Sequence, residues 1–118
     1  MKERGAGREP ASPRLDGVVH ERTRLRVLVH LASSESGQEG FVALRSALGL
    51  TAGNLSVQLR TLEAAGLVAI DKGYRANRPA TTVRLTPQGS RALERYLDEM
   101  DAMIRALRGA PARRKSDG

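Results

Sequence analysis

The chain has no cysteine and no tryptophan, and aromatic residues make up only 3% of it. Without thiols there is no disulfide, no thiolate zinc site and no cysteine nucleophile. Histidine is nearly as scarce, with His20 and His30 the only two. Ten residues apart on one helix, they would stand about 80° out of alignment, and with no cysteine partners they are expected in capping or packing roles and not as metal ligands. No apolar run reaches the roughly 18 residues that cross a bilayer. The opening stretch MKERGAGREPASPR is charged and lacks the apolar segment of a signal peptide. A cytoplasmic protein with no membrane partner is the expectation. A glycine-rich phosphate loop is missing too, since the early GAG has no strand before it and no lysine and serine pair after it. Glu94, Asp98, Glu99 and Asp101 alternate with Arg91, Arg95 and Arg105, the pattern of a solvated, salt-bridged helix face and not of a carboxylate dyad. No nucleophile, base and metal set converges anywhere, so the chain reads as a non-enzyme without a cofactor.

What is abundant is positive charge. The 118 residues carry 20 Lys plus Arg against 13 Asp plus Glu, a net charge of +7. Its distribution is more informative than its total. Residues 1–14 and 109–118 each hold an excess of two, are rich in Gly, Pro, Ala and Arg, and read as basic tails flanking one domain at 15–108. Between residues 45 and 91 lie Arg45, Arg60, Lys72, Arg75, Arg78, Arg84 and Arg91 against only Glu63 and Asp71, a net +5. A basic stripe of this kind on a small fold is the electrostatic footprint of a polyanion partner.

Hydrophobic spacing divides the body into elements. Asp16 caps a helix over about 16–33, with a break near Glu21. Phe41, Leu44, Ala47 and Leu48 mark a short helix over 41–48 that Gly49 ends in left-handed conformation. Thr51 then caps a helix over 51–65, in which Leu55, Leu59 and Leu62 form a clean stripe and Gly66 is the stop. Only Gly49, Leu50 and Thr51 join these two helices, the short link of a helix-turn-helix. The period then changes. LVAIDKG and TTVRLT read as strands, and the polar stretch GYRANRPA (73–80) between them makes a hairpin whose loop is longer than a tight turn. Thr86 as cap and Pro87 as first residue open a last helix, 87–108. Its Leu93, Leu97, Met100, Ile104 and Leu107 are spaced 4, 3, 4, 3, a heptad-like seam with Tyr96 and Met103 on its flank. The fold class is therefore α+β, mainly α: a winged helix-turn-helix of three helices, a two-stranded hairpin wing and a long C-terminal helix.

The helix over 51–65 has an unusual outer face. With Leu55 at the centre of the buried side, Gly53, Val57, Arg60 and Ala64 point away, and Asn54, Ser56 and Thr61 lie on the flanks. Small neutral hydrogen-bonding groups let a helix sit deep in a groove. Asn54 and Gln58 suit adenine, Arg60 suits guanine or phosphate, and Val57 suits a thymine methyl. Thr51 and Ser56 are better placed for phosphates near the helix N-terminus. In the wing, Arg75 or Arg78 suits a narrow minor groove, while Lys72, Tyr74 and Asn77 suit the backbone. The bland alternatives are a polar helix face and a solvated basic loop. Beyond Leu93 and Leu97, which start the seam against the domain's own core, the apolar row is longer than so small a domain can cover. Leu97, Met100, Met103, Ile104 and Leu107 are thus expected to meet a second copy.

LDGVVHERTRLRVLVHL, FVALRSALGLTAGNLSVQLRTLEAAGLV and KGYRANRPATTVRLTPQGSRAL together resemble the small stand-alone winged-helix transcription regulators related to MarR and ArsR. GNLSVQLRTLEAAGLV and RPATTVRLTPQG carry most of the likeness, which spans about residues 15–108. The resemblance implies a homodimer that places one recognition helix per subunit in the major groove of double-stranded DNA. It also leaves open an unidentified small-molecule effector at the dimer interface. Relatives that sense metals use Cys or His clusters, which this chain does not offer. A winged helix that contacts an acidic protein, or structured RNA, is the alternative reading of the same basic surface.

Overall fold

The computed structural model describes residues 15–117, with side chains described from 15 to 109. The expected basic tail at 1–14 lies outside the described residues. The Asp16 carboxylate accepts from the backbone N–H groups of Val18 at 2.8 Å and Val19 at 3.3 Å, which starts helix α1, Gly17–His20. Glu21 is extended and breaks the helix, and its side chain then accepts from the Arg24 N–H at 2.9 Å to cap α2, Arg22–Ser33. The expected interruption thus falls at Glu21. Helix α3, Phe41–Leu48, ends at Gly49 with φ +66, where the Leu50 N–H returns to the Arg45 carbonyl at 3.1 Å. Helix α4, Ala52–Ala64, opens on Thr51 as cap and ends at Gly66 with φ +79. Both stops use the left-handed conformation that glycine adopts without steric cost.

Three strands form one antiparallel sheet: β1, Gln38–Gly40; β2, Val68–Arg75; and β3, Arg78–Leu85, in the order β1-β3-β2. The sequence predicts a two-stranded wing. The structure adds β1, with Gln38 opposite Arg84 and Gly40 opposite Thr82. QEG has no β-branched or aromatic residue, so its strand conformation comes from the hydrogen-bonding edge of β3 and not from propensity. A second difference lies at the wing tip. Arg75 pairs directly with Arg78, so the loop is the two residues Ala76 (φ +54) and Asn77 (φ +64) and not the longer 73–80 stretch. Positive φ at both central positions is the geometry of a type I′ turn, whose twist matches that of paired strands. The strands extend into GYR and RPA because main-chain pairing continues wherever the turn chemistry permits it.

The core joins every element except β1. Val19, Val27, Leu28 and Leu31 of α1 and α2 meet Leu44 of α3, then Leu55, Leu59 and Leu62 of α4, with Leu67, Val68 and Val83 below. Among the described residues, no polar or charged residue is buried. Helix α5, Pro87–Asp117, closes this core with Ala92, Leu93 and Tyr96 and packs on α1 and α2. Its start is fixed three ways. The Thr86 hydroxyl donates to the Gly66 carbonyl at 2.7 Å and accepts from the Gly89 N–H at 2.9 Å, while the Thr86 N–H reaches the Leu67 carbonyl at 3.1 Å. The helical backbone runs on to Asp117, past residue 108 where the sequence reading ended it and began a tail. Gly109 and Pro111 suggested that end, but Ala, Arg and Lys around them are strong helix formers and elongation adds a bond per residue.

Candidate nucleic-acid interface

Helix α4 turns Leu55, Leu59 and Leu62 inward, and this orientation fixes everything it presents outward. Gly53, Asn54, Val57 and Arg60 are exposed, as expected, and Ser56, Gln58 and Thr61 are half-buried on the flanks. The Thr51 hydroxyl accepts from the Asn54 N–H at 3.0 Å as the helix cap. No acidic residue occupies the first turn of α4, so the positive end of the helix dipole meets no carboxylate from its own turn.

Lys72, Tyr74, Arg75, Asn77 and Arg78 are all exposed along the wing, with Tyr74 at 79%. A groove of about 470 Å³ lies between wing and helix, lined by Ser56, Arg60 and Glu63 of α4, Lys72 and Thr81 of the sheet, and Phe41. It brings three of the expected contacts, Ser56, Arg60 and Lys72, to one place, beside the single acid Glu63. Tyr74, Arg75, Asn77 and Arg78 stand further out, toward and at the tip. Arg75 and Arg78 face one another across the two strands, an arrangement of like charges that costs stability unless an anion lies between or beside them. Arg84 is paired with Asp71, Nε to Oδ2 at 3.5 Å, whereas no such pair holds Arg60, Lys72, Arg75 or Arg78 among the described residues. Four of the seven cations of the 45–91 stretch, Arg60, Lys72, Arg75 and Arg78, thus lie on α4 and the wing.

One contributor escaped the sequence reading. Arg24 at the start of α2 reaches across to α4, where its Nη1 donates to Gln58 Oε1 at 2.9 Å. Gln58 Nε2 in turn donates to Asn54 Oδ1 at 3.2 Å. The Arg24 Nε holds the Val18 carbonyl at 2.8 Å, which anchors the guanidinium. A partner 34 residues away leaves no local signal in the sequence. The two histidines have ordinary partners: His20 Nδ1 bonds the Tyr96 hydroxyl at 2.8 Å, and His30 Nε2 meets Glu39 at 3.2 Å.

The far end of the molecule carries the apolar seam. Leu97, Met103 and Ile104 are 46%, 41% and 41% exposed and Leu107 is 71% exposed. The division along α5 differs from expectation at two residues. Met100, expected to meet a second copy, packs partly against the protomer's own core, while Leu97, expected both to start on that core and to join the seam, faces outward. The reason is the tilt of α5: its buried line runs through Leu93, Tyr96 and Met100, a 3-then-4 spacing that rotates Leu97 out.

The winged helix DNA-binding domain family model matches residues 23–104. A transcriptional regulator homologue from Pyrococcus horikoshii is 32% identical with a TM-score of 0.71, over 76% of this chain and 87% of that one. A transcriptional regulator of the MarR family from Enterococcus faecalis is 26% identical with a TM-score of 0.63, over 81% of this chain and 84% of that one. A MarR family regulator from Streptomyces coelicolor, solved in complex with DNA, is 26% identical with a TM-score of 0.62, over 80% of this chain and 63% of that one. The chain spans less than two thirds of the length of that Streptomyces protein. No curated protein matches by sequence. Among the described residues, no helix is long and apolar enough to cross a membrane. With its helix-turn-helix, its hairpin wing and its basic outer face, the chain belongs to the winged helix DNA-binding domain family, as a small regulator related to MarR.

Proposed function

We propose that the protein is a homodimeric, sequence-specific transcriptional regulator that inserts α4 into the major groove of an operator and lays its wing on the flanking minor groove or phosphates. The observation that carries this reading is the shared groove in which Ser56 and Arg60 of α4 face Lys72 of the wing, with the exposed Arg75 and Arg78 continuing the same basic surface. Small groups at Gly53, Asn54 and Val57 allow the helix backbone a close approach to base edges. The DNA-bound Streptomyces relative supports DNA as the partner.

The exposed Leu97, Met103, Ile104 and Leu107 support a second copy as the partner of α5. A dimer sets two α4 helices to read half-sites about 34 Å apart, one helical turn of DNA. An effector, if the protein takes one, belongs at that interface. Selection of bound fragments from sheared genomic DNA, followed by footprinting, tests the proposal. The expected result is an imperfect palindrome protected on one face. If no genomic duplex outcompetes random DNA, the proposal fails.

A further inference from the structure

The side chains that α4 offers to DNA are wired to the body of the protein, and the wiring has a direction. A guanidinium has only donors. The Gln58 atom that meets Arg24 Nη1 at 2.9 Å must therefore be its carbonyl oxygen. This leaves the Gln58 amino group to face Asn54, and the Asn54 atom that receives it at 3.2 Å must be oxygen. Each step excludes the flipped amide, because a flip would set donor against donor. Arg24 is itself fixed by the bond from its Nε to the Val18 carbonyl at 2.8 Å. Both amide carbonyls thus lie along the chain Arg24–Gln58–Asn54. The Asn54 amino group, on an exposed side chain one turn before Gln58, is left to point outward.

We infer that Arg24 is a positioning residue that biases this part of the recognition helix toward donation, favouring keto bases over amino bases at the operator position beneath Asn54 and Gln58. This rests on the reading of α4 as the DNA-recognition helix. Bidentate reading of adenine needs an acceptor for its N6 amino group and a donor for N7 from one amide. Here each carbonyl already accepts one bond within the chain and keeps a single lone pair, so it is a weaker offer to an adenine N6 than the free amino group is to a keto oxygen. Guanine, with acceptors at N7 and O6, and thymine, with O4, match two outward N–H groups. Arg60, two residues beyond Gln58, offers only donors. This revises the expectation that Asn54 and Gln58 pair with adenine.

The test is competition binding with operator duplexes varied at one position at a time, using wild type, Arg24→Met and Asn54→Asp. Met keeps an unbranched apolar stem at position 24 and removes the donors. Wild type is expected to prefer guanine or thymine over adenine and cytosine by about tenfold at one position per half-site. In Arg24→Met both amides are free to flip, so that preference should fall to within about twofold while preferences at other positions persist. Asn54 is exposed, so Asn54→Asp folds normally whatever becomes of Arg24→Met. It replaces the outward donor with an acceptor and should shift the preference to cytosine or adenine. Wild type that reads a specific operator yet favours adenine there, or an unchanged preference in Arg24→Met, overturns the inference and leaves the DNA reading intact. Failure of wild type to prefer any operator overturns both.

Discussion

Gly89 shows how much a single missing methyl group can decide. A Cβ built there would stand 2.0 Å from the carbonyl oxygen of Leu67 and 2.9 Å from its carbon. Both are backbone atoms at the turn between α4 and β2, and the Thr86 N–H holds the same carbonyl at 3.1 Å. Neither side can give way without undocking α5. Gly89→Ala is expected to destabilise the fold by about 3 kcal/mol, read as a fall in urea midpoint at unchanged m. Ala76 is the opposite case. At φ +54 it carries a Cβ in the left-handed region, which costs about 1–2 kcal/mol. Asparagine tolerates that region and is favoured in the first central position of a type I′ turn. Ala76→Asn should therefore stabilise the wing by about 0.5–1 kcal/mol, measured as slower amide exchange at the hairpin tip with no change at α5.

At the scale of elements, α4 and the wing divide the work of recognition. Arg60 lies in the groove and reaches the base edges in this account. Arg60→Ala should relax discrimination at one operator position by about 1–3 kcal/mol. Arg78 lies at the tip opposite Arg75. Arg78→Ala should weaken all sequences alike and lower the slope of log affinity against log salt by about 0.9 for each subunit. A sequence-dependent loss in Arg78→Ala would instead make the wing a base reader. The boundaries of these elements were legible in the sequence because local chemistry sets them: Asp16, Thr51 and Thr86 cap, and Gly49 and Gly66 stop. Three features were not legible, because each depends on a pairing that no local signal marks. Strand β1 exists through β3, the tight turn at Ala76–Asn77 follows from the pairing of Arg75 with Arg78, and the bond from Arg24 to Gln58 spans 34 residues. The site residues on α4 were legible as a face, since one helical period fixes it, but not in how their amides are oriented.

For the whole molecule, α5 is the element that outgrows its domain. Its 31 residues extend about 46 Å at 1.5 Å per residue, and among the described residues only the stretch through Met100 packs on the protomer's core. The exposed apolar residues beyond it are the proposed seam between copies. Because Ile104 and Leu107 are 41% and 71% exposed within one protomer, replacing both with Glu should leave the fold intact and convert dimer to monomer by sedimentation. Operator affinity should then fall by orders of magnitude as two half-sites no longer bind together. A double variant that stays dimeric would place the interface elsewhere. The central claim, that the basic face formed by α4 and the wing reads DNA sequence, is tested most directly by one ratio. Affinity for the best genomic duplex is measured against a shuffled duplex of equal length and composition, at physiological salt. A ratio of about 10³ or more is the expected result. Equal affinity for the two duplexes would contradict the account.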